Sequence, residues 1–272
     1  MPSAKIELRT ALPQDEPALR ENWRECFGDE DAYLDFFFSR RFVPEDTPVV
    51  ESDGKVVSQL FLLPAALCAG AQRFPAYYLF AAATHPAYRG RGLMRTLLGE
   101  AERLSRIRGQ FAVVLLPGEE SLYRYYARCG YEAVFTRRSW RISRQELSAY
   151  GRSVKRTDAL PVLDKLFSAR DGLLWDANAL RYALDEYRLF RGEYAASDNV
   201  FVCVSGEDAE CICTPDRFPE ALGLLSELSD RPELCLRFPA DIPFGTPEKG
   251  GMIRYLTERI ELRNAYVSFS ME

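Results

Sequence analysis

Histidine is almost missing from this chain: its 272 residues include one, His85. A Ser-His-Asp triad or a metal site built from several imidazoles would have to be assembled around that residue alone, so neither is expected. Positive charge is not in excess either. With 35 basic and 40 acidic residues the net charge is −5, whereas a general nucleic-acid binder carries a basic surface. No apolar run reaches the length of a membrane span, and the opening MPSAKIELRT lacks the apolar core of a signal peptide. The expectation is a cytoplasmic protein with no nucleic-acid and no membrane partner. The seven cysteines are odd in number and contain no CxxC pair, which argues against a disulfide framework or a zinc site. They read as small apolar core residues in a reducing compartment, with Cys211 and Cys213 on one face of a strand, and no metal is expected.

Material for a core is plentiful. Hydrophobic residues make up 47% of the chain, with 17 Phe, 14 Tyr and 3 Trp, enough to exclude disorder and to fill one large or two ordinary domains. Residues 5–10 alternate as a short strand. Pro13-Gln14-Asp15 opens a helix carrying Leu19, Trp23, Cys26 and Phe27 at helical spacing, and a second helix runs through Tyr33, Phe36, Phe37 and Phe38. PVVES and KVVSQLFLLP are strands joined by a tight Asp53-Gly54 turn, and FPAYYLFAAA is the next strand. From Leu93, the residues Met94, Leu97, Leu98, Ala101, Leu104 and Ile107 mark an amphipathic helix that stops at Gly109. QFAVVLLP reads as a buried central strand, ESLYRYYARCGY as a short helix ended by Gly130, and Val134 to Ile142 as a last strand. This order predicts an α/β fold, a mixed (α+β) sheet flanked by helices.

After about residue 145 the pattern starts again. Asp158 and Asp176 cap helices. The strands FVCVS and ECICTP flank a Gly206-Glu207-Asp208 turn, a helix covers Pro219 to Ser229, ELCLRF is a strand, and GGMIRYL and AYVSFSME are strand material. Two domains are therefore expected, residues 1–145 and 146–272.

The stretch LFAAATHPAYRGRGLMRTLL, residues 79–98, is the most informative. An apolar strand ends in a proline turn, Arg89-Gly90-Arg91-Gly92 follows, and a helix begins at once. Such a turn aims free backbone N–H groups and the positive end of a helix dipole at whatever lies in front. Glycines admit close approach and arginines add charge, as a pyrophosphate cradle requires.

At these residues the chain resembles the GNAT (GCN5-related) N-acetyltransferases. The family's turn reads Arg or Gln, two residues, Gly, one residue, then Gly or Ala; Arg89 and Gly92 match and Met94 departs. Downstream, Tyr126-Ala-Arg-Cys-Gly130-Tyr131 is similar to the second family element. The doubled layout and the RGRGLM wording further resemble the tandem-domain, enhanced-intracellular-survival-like branch, whose second GNAT-like domain binds no cofactor. The resemblance implies a GNAT acyl-CoA N-acyltransferase fold for residues 1–145 and a degenerate copy for 146–272. It also implies acetyl-CoA as cosubstrate and a primary amine, in a small molecule or peptide, as acceptor. Whether the chain forms a homo-oligomer stays open.

Residue by residue, the resemblance gives the N–H groups of Gly90, Arg91, Gly92, Leu93 and Met94 to the pyrophosphate, with charge from Arg89, Arg91 and Arg95, any of which also fits a solvated surface arginine. Met94 can turn its side chain into the core and leave that cradle intact. Ala81, Ala82, Ala83 and Thr84 end a strand that in the family splays from its neighbour, here FAVVLL, and pairs with the pantetheine arm; small side chains suit tight packing equally. Tyr126 is the expected catalytic acid, protonating the departing thiolate; the competing reading is a core tyrosine beside Tyr123 and Tyr125. Ser121 either bonds the cofactor or caps its helix. No general base is identified: Glu119 and Glu120 suit the helix dipole, His85 reads as a turn residue, and Glu272 would have to bring a terminal carboxylate to the site. Trp23, Phe27, Tyr33 and Phe36 to Phe38 lie where the family builds its acceptor pocket, though such a stripe serves a core as well. The rival class is a non-catalytic acyl-CoA-binding regulatory module, which would bind acetyl-CoA without releasing thiol to any amine.

Overall fold

The computed structural model describes residues 5–150 and 155–268. Its strands are β1 (Ile6–Thr10), β2 (Pro48–Ser52), β3 (Lys55–Ala69), β4 (Gln72–Thr84), β5 (Ala112–Leu115), β6 (Glu132–Ser143), β7 (Gly172–Leu174), β8 (Glu193–Ser197), β9 (Val200–Ser205), β10 (Asp208–Cys213), β11 (Glu233–Pro239) and β12 (Thr246–Tyr255). The helices are α1 (Glu16–Phe27), α2 (Asp31–Arg40), α3 (Leu93–Ile107), α4 (Glu120–Arg128), α5 (Arg144–Ser148), α6 (Ala159–Ser168), α7 (Ala177–Glu186) and α8 (Phe218–Leu228). Among the described residues the strands join in one mixed sheet, in the order β1-β2-β3-β4-β5-β12-β6-β11-β10-β9-β8, with β7 alongside β3. No described helix is long and apolar enough to cross a membrane.

Period-2 alternation divides the first half into two faces. Leu60 and Leu62 of β3 and Tyr77 and Leu79 of β4 pack with Leu93, Leu97, Leu98 and Ala101 of α3. Their neighbours Phe61, Leu63, Tyr78 and Phe80 point the other way, into a cluster with Trp23 of α1 and Phe37 of α2. The predicted α3 stripe is buried from Leu93 to Leu104, but Ile107 is 67% exposed. The stripe has rotated off the sheet by the last turn, where the helix ends at Arg108 and Gly109 (φ 70°). In the second half, Val200, Val202 and Val204 of β9 face Ala221, Leu224 and Leu225 of α8, while Phe201 and Cys203 face the cluster that includes Leu163 of α6. All seven cysteines are free thiols, and Cys211 and Cys213 are fully buried.

Two features depart from the linear reading. The segment GGMIRYL is a strand, but it does not pair with β11, the strand before it in sequence. β12 lies between β5 and β6, antiparallel to both, pairing Met252 with Leu115 and Thr246 with Ser139. The stretch AYVS forms no strand: Tyr266 makes an isolated bridge to Gly172, its O accepting from Leu173 N at 3.1 Å. The remainder of that segment, including Glu272, lies outside the described residues. Local pattern missed the short strands β7 and β8, which form by pairing with β3 and β9, and the one-turn helix α5, which starts from a Ser143–Glu146 capping box.

Because β12 fills the gap between β5 and β6, a chain ending at residue 145 would expose the backbone edges of two central strands. Such a truncation should lose near-UV circular dichroism and cooperative thermal unfolding while the full chain keeps both. A well-packed, monomeric fragment would contradict this account.

Candidate active site

The site begins where two parallel strands part. β4 and β5 pair at Ala76 with Ala112, Tyr77 with Val113 and Tyr78 with Val114, and no further. β4 runs on to Thr84 with the edge facing β5 bare of ladder partners. On its other side, Gln59 of β3 pairs with Ala83 while Phe61 pairs with Phe80, so β4 holds one extra residue. The bulge centres on Ala81, whose φ of 44° is left-handed. A non-glycine residue there costs roughly 1–2 kcal/mol, and bulges of this kind re-aim backbone groups beside functional sites. Ser58 Oγ fixes the strand end, donating to Ala83 O at 3.0 Å and lying 2.8 Å from Thr84 Oγ1.

After Thr84 the chain makes a short turn, in which His85 Nδ1 accepts from Ala87 N at 3.2 Å. His85 is thus a turn residue. Gly90 and Gly92 both take left-handed conformations, φ 76° and 78°, which is what the glycines are needed for; a methyl on either would meet nothing within 4 Å, so the space before them is open. Gly92 caps α3 with no side chain bonded to the first-turn amides, leaving those N–H groups for a ligand. Arg89 donates through Nε to Thr84 O at 3.0 Å and reaches Cys26 Sγ at 3.6 Å. Arg91 donates to Ala87 O at 3.2 Å and lies over the Tyr88 ring at 5.0 Å. Neither arginine has a carboxylate partner among the described residues.

The turn forms one side of a groove of about 460 Å³, bounded by Ala82, Ala83, Thr84, Arg89, Gly90, Gly92, Leu93 and Met94 and, across from them, Tyr125 and Tyr126. Met94 is half-buried and packs on the α3 cluster, so the side chain that departs from the family pattern is turned partly inward and the backbone turn keeps its shape. Arg91 lies beside the groove rather than in its wall. Ser121 is exposed and donates to the Glu119 carboxylate, apart from the groove.

Tyr126 is where the groove meets a second cavity of about 690 Å³, bounded by Trp23, Tyr33, Phe80, Leu116 and Phe190. Phe27, Ala82, Leu122 and Tyr126 line both. The α4 helix presents Tyr123 and Tyr126 on its buried face, each 8% exposed. The Tyr126 hydroxyl has no hydrogen-bond partner among the described residues. Burial, with smaller contributions from Tyr125 and Cys129, pushes its pKa well above the ordinary value of 10.0; Tyr125 is pushed up to about 12, again mainly by burial.

Part of the cavity wall is charged. Asp29 follows the Gly28 helix stop and accepts from Trp23 Nε1 at 2.7 Å. A π-helical turn after α7, Tyr187–Arg191, carries Phe190 and Arg191 from the second half into the wall. Arg191 bonds Glu186 at 2.9 Å, and Tyr33 Oη donates to the same carboxylate at 3.4 Å. Glu186 is 3% exposed, and burial raises its pKa against the opposing pull of Arg191. Of the aromatic stripe, Trp23, Phe27 and Tyr33 reach the cavity, whereas Phe36, Phe37 and Phe38 are core. Asp29, Phe190 and Arg191 were not expected from sequence, nor was the bulge at Ala81. Gly28-Asp29-Glu30 at a helix stop was a readable signal for an acidic loop; Phe190 and Arg191 carried none, since their place depends on how the second half docks.

The model of the acetyltransferase (GNAT) domain matches residues 7–134, the segment that contains the splayed strands, the glycine turn and Tyr126. Residues 7–134, a little under half of the chain, thus match a GNAT acetyltransferase domain. Solved structures extend the likeness to the second half. A GCN5-related N-acetyltransferase from Anabaena variabilis is 15% identical, with 93% of this chain and 73% of that chain covered at a TM-score of 0.72. For one from Kribbella flavida the values are 17%, 93%, 71% and 0.68, and for Eis1 from Mycobacterium abscessus 13%, 93%, 74% and 0.65. At such identities these likenesses show the fold alone. No curated protein matches the chain significantly.

Replacing Arg191 by Gln leaves Glu186 buried without its cation. The folded-state pKa of Glu186 is already raised, so its ionisation opposes folding as pH climbs through that value, and without Arg191 the opposition grows. The variant should lose roughly 1–3 kcal/mol at pH 7.5, below the cost for a fully buried pair because Arg191 keeps 27% of its side chain exposed. Thermal melts should show the loss shrinking at pH 5; a loss independent of pH would contradict the assignment.

Proposed function

We propose that this chain is an acetyl-CoA-dependent N-acetyltransferase that moves an acetyl group directly to a primary amine, with Tyr126 as general acid. The observation that carries this reading is the place of Tyr126, on the wall shared by the groove and the cavity. The groove suits the cosubstrate: uncapped amides at the start of α3, glycines with open space before them and unpaired arginines match a diphosphate, and the bare edge of β4 matches a pantetheine arm. Acetyl-CoA supplies the acetyl group as a thioester.

The residues of the chain then act as follows. The first-turn amides of α3 and Arg89 anchor the diphosphate, which sets the reach along β4 toward Tyr126. Backbone N–H groups at the Ala81 bulge polarise the thioester carbonyl, a preorganised donor that is most effective where water is excluded. The second cavity holds the amine against that carbonyl, and proximity contributes much of the rate. As the C–N bond forms and the C–S bond breaks, Tyr126 donates to the departing sulfur, while the amine nitrogen releases its proton to solvent. Residues 146–272 lack an Arg-Gly-Arg-Gly turn; we assign them no cofactor site and a role as the second wall of the acceptor cavity, supported by β12, Phe190 and Arg191.

Tyr126→Phe should lower kcat at least about tenfold, roughly 1.4 kcal/mol of barrier, with coenzyme A affinity by calorimetry unchanged. Equal rates would remove Tyr126 from the mechanism, and tight acetyl-CoA binding with no thiol release on any amine would favour a regulatory module. The pH profile provides a separate check. Since burial raises Tyr126 above 10.0, the acid stays protonated through the range in which the amine loses its proton. Activity should rise with pH as free amine accumulates, without a descending limb below pH 10 that disappears in the Phe variant.

A further inference from the structure

The cavity beside Tyr126 restricts what can enter it. Its charged lining is sparse, consisting of Asp29, Glu30 and Arg191, and Arg191 is committed to Glu186. Asp29 accepts one hydrogen bond from the Trp23 indole and has no cation partner among the described residues; Glu30 has none either. The wall is otherwise dominated by rings and aliphatic groups. Phe27 and Phe190 face the cavity although 49% and 41% exposed, and Phe190 is steadied edge-on by Tyr33 at 5.7 Å and Phe36 at 5.4 Å. Half-bare rings around a cavity favour an apolar body that displaces water from them. Uncompensated carboxylates beside such rings favour a cation. A polyhydroxylated acceptor would find few partners for its hydroxyls and would leave them desolvated and unpaired.

We infer that the acceptor is an amine with one cationic centre on an apolar, ring-bearing body, of the arylalkylamine class. Its ring is seated against Trp23, Phe80 and Phe190, and its nitrogen is drawn in by Asp29. This rests on the reading that the cavity receives the amine of an acetyl transfer. In the step itself the bound ammonium first gives one proton to solvent; the free amine then forms the C–N bond as the C–S bond breaks, the nitrogen gives a second proton to solvent, the departing thiolate takes the proton of Tyr126, and solvent returns a proton to Tyr126. Phe190 is then a specificity-determining residue contributed by the second half of the chain.

The test measures thiol release by the full chain from acetyl-CoA with tryptamine, 2-phenylethylamine, spermidine and kanamycin, alongside calorimetry with coenzyme A. The arylalkylamines should have kcat/KM values at least about tenfold above the other two. Phe190→Ala should raise KM for tryptamine about fivefold or more with the KM for acetyl-CoA unchanged, and Phe190→Leu should recover part of the loss. A higher kcat/KM for spermidine or kanamycin overturns this inference and leaves acetyl transfer standing. So does an absence of arylalkylamine turnover by protein that binds coenzyme A, or a Phe190→Ala variant whose tryptamine KM is unmoved. Failure to bind coenzyme A would instead overturn the acetyltransferase reading itself.

Discussion

The parting of β4 from β5 is the constraint on which the rest of the molecule depends. Three residue pairs hold these parallel strands together, and β4 then continues alone with one extra residue at Ala81. A backbone edge that would be an aggregation hazard on the outside of a sheet is, inside this wedge, the surface proposed to pair with an extended ligand. The same divergence opens the groove toward the glycine turn and the cavity toward α1. Tyr126 can stand between them because α4 follows β5 directly and is packed by its tyrosine face.

The wedge is maintained from both ends of the chain. β12 pairs with β5 at Met252 and with β6 at Thr246, so the strands of the first half are completed by a segment more than a hundred residues further along the chain. This couples the stability of the candidate site to the folding of the second half. The cavity proposed for the acceptor carries the same dependence: Phe190 and Arg191 enter it from a π-helical turn, a backbone irregularity that recurs at functional sites. Glu186, Arg191 and Tyr33 form a small polar contact across the two halves in otherwise apolar surroundings. Removing one member is expected to be felt far more than its net contribution to stability, because a buried charge left alone is costly.

Much of the fold was legible because each clue was local. The α3 stripe, the Asp53-Gly54 turn and the Asp158 and Asp176 caps act within a few residues of themselves, and all stand where the pattern placed them. The glycine turn was legible for a stronger reason. Left-handed φ values at Gly90 and Gly92 together with a helix start form a device few other sequences can make. Ser121 was ambiguous in sequence, and the structure resolves it only as far as a bond to Glu119. Phe36 to Phe38 share one helix with Tyr33, yet only Tyr33 reaches the cavity; an aromatic stripe says which residues are buried, not which neighbour they are buried against.

By itself, then, the sequence determined most of the order of elements, the glycine turn before α3, the tyrosine helix and an abundance of core residues. These follow from periodicity, capping and composition, which act over short spans of chain. Only the tertiary structure decided that β12 lies between β5 and β6, that Ala81 bulges, and that Phe190, Arg191 and Asp29 meet around one cavity. Those outcomes depend on strand register and on the docking of segments far apart in sequence, which no local pattern encodes.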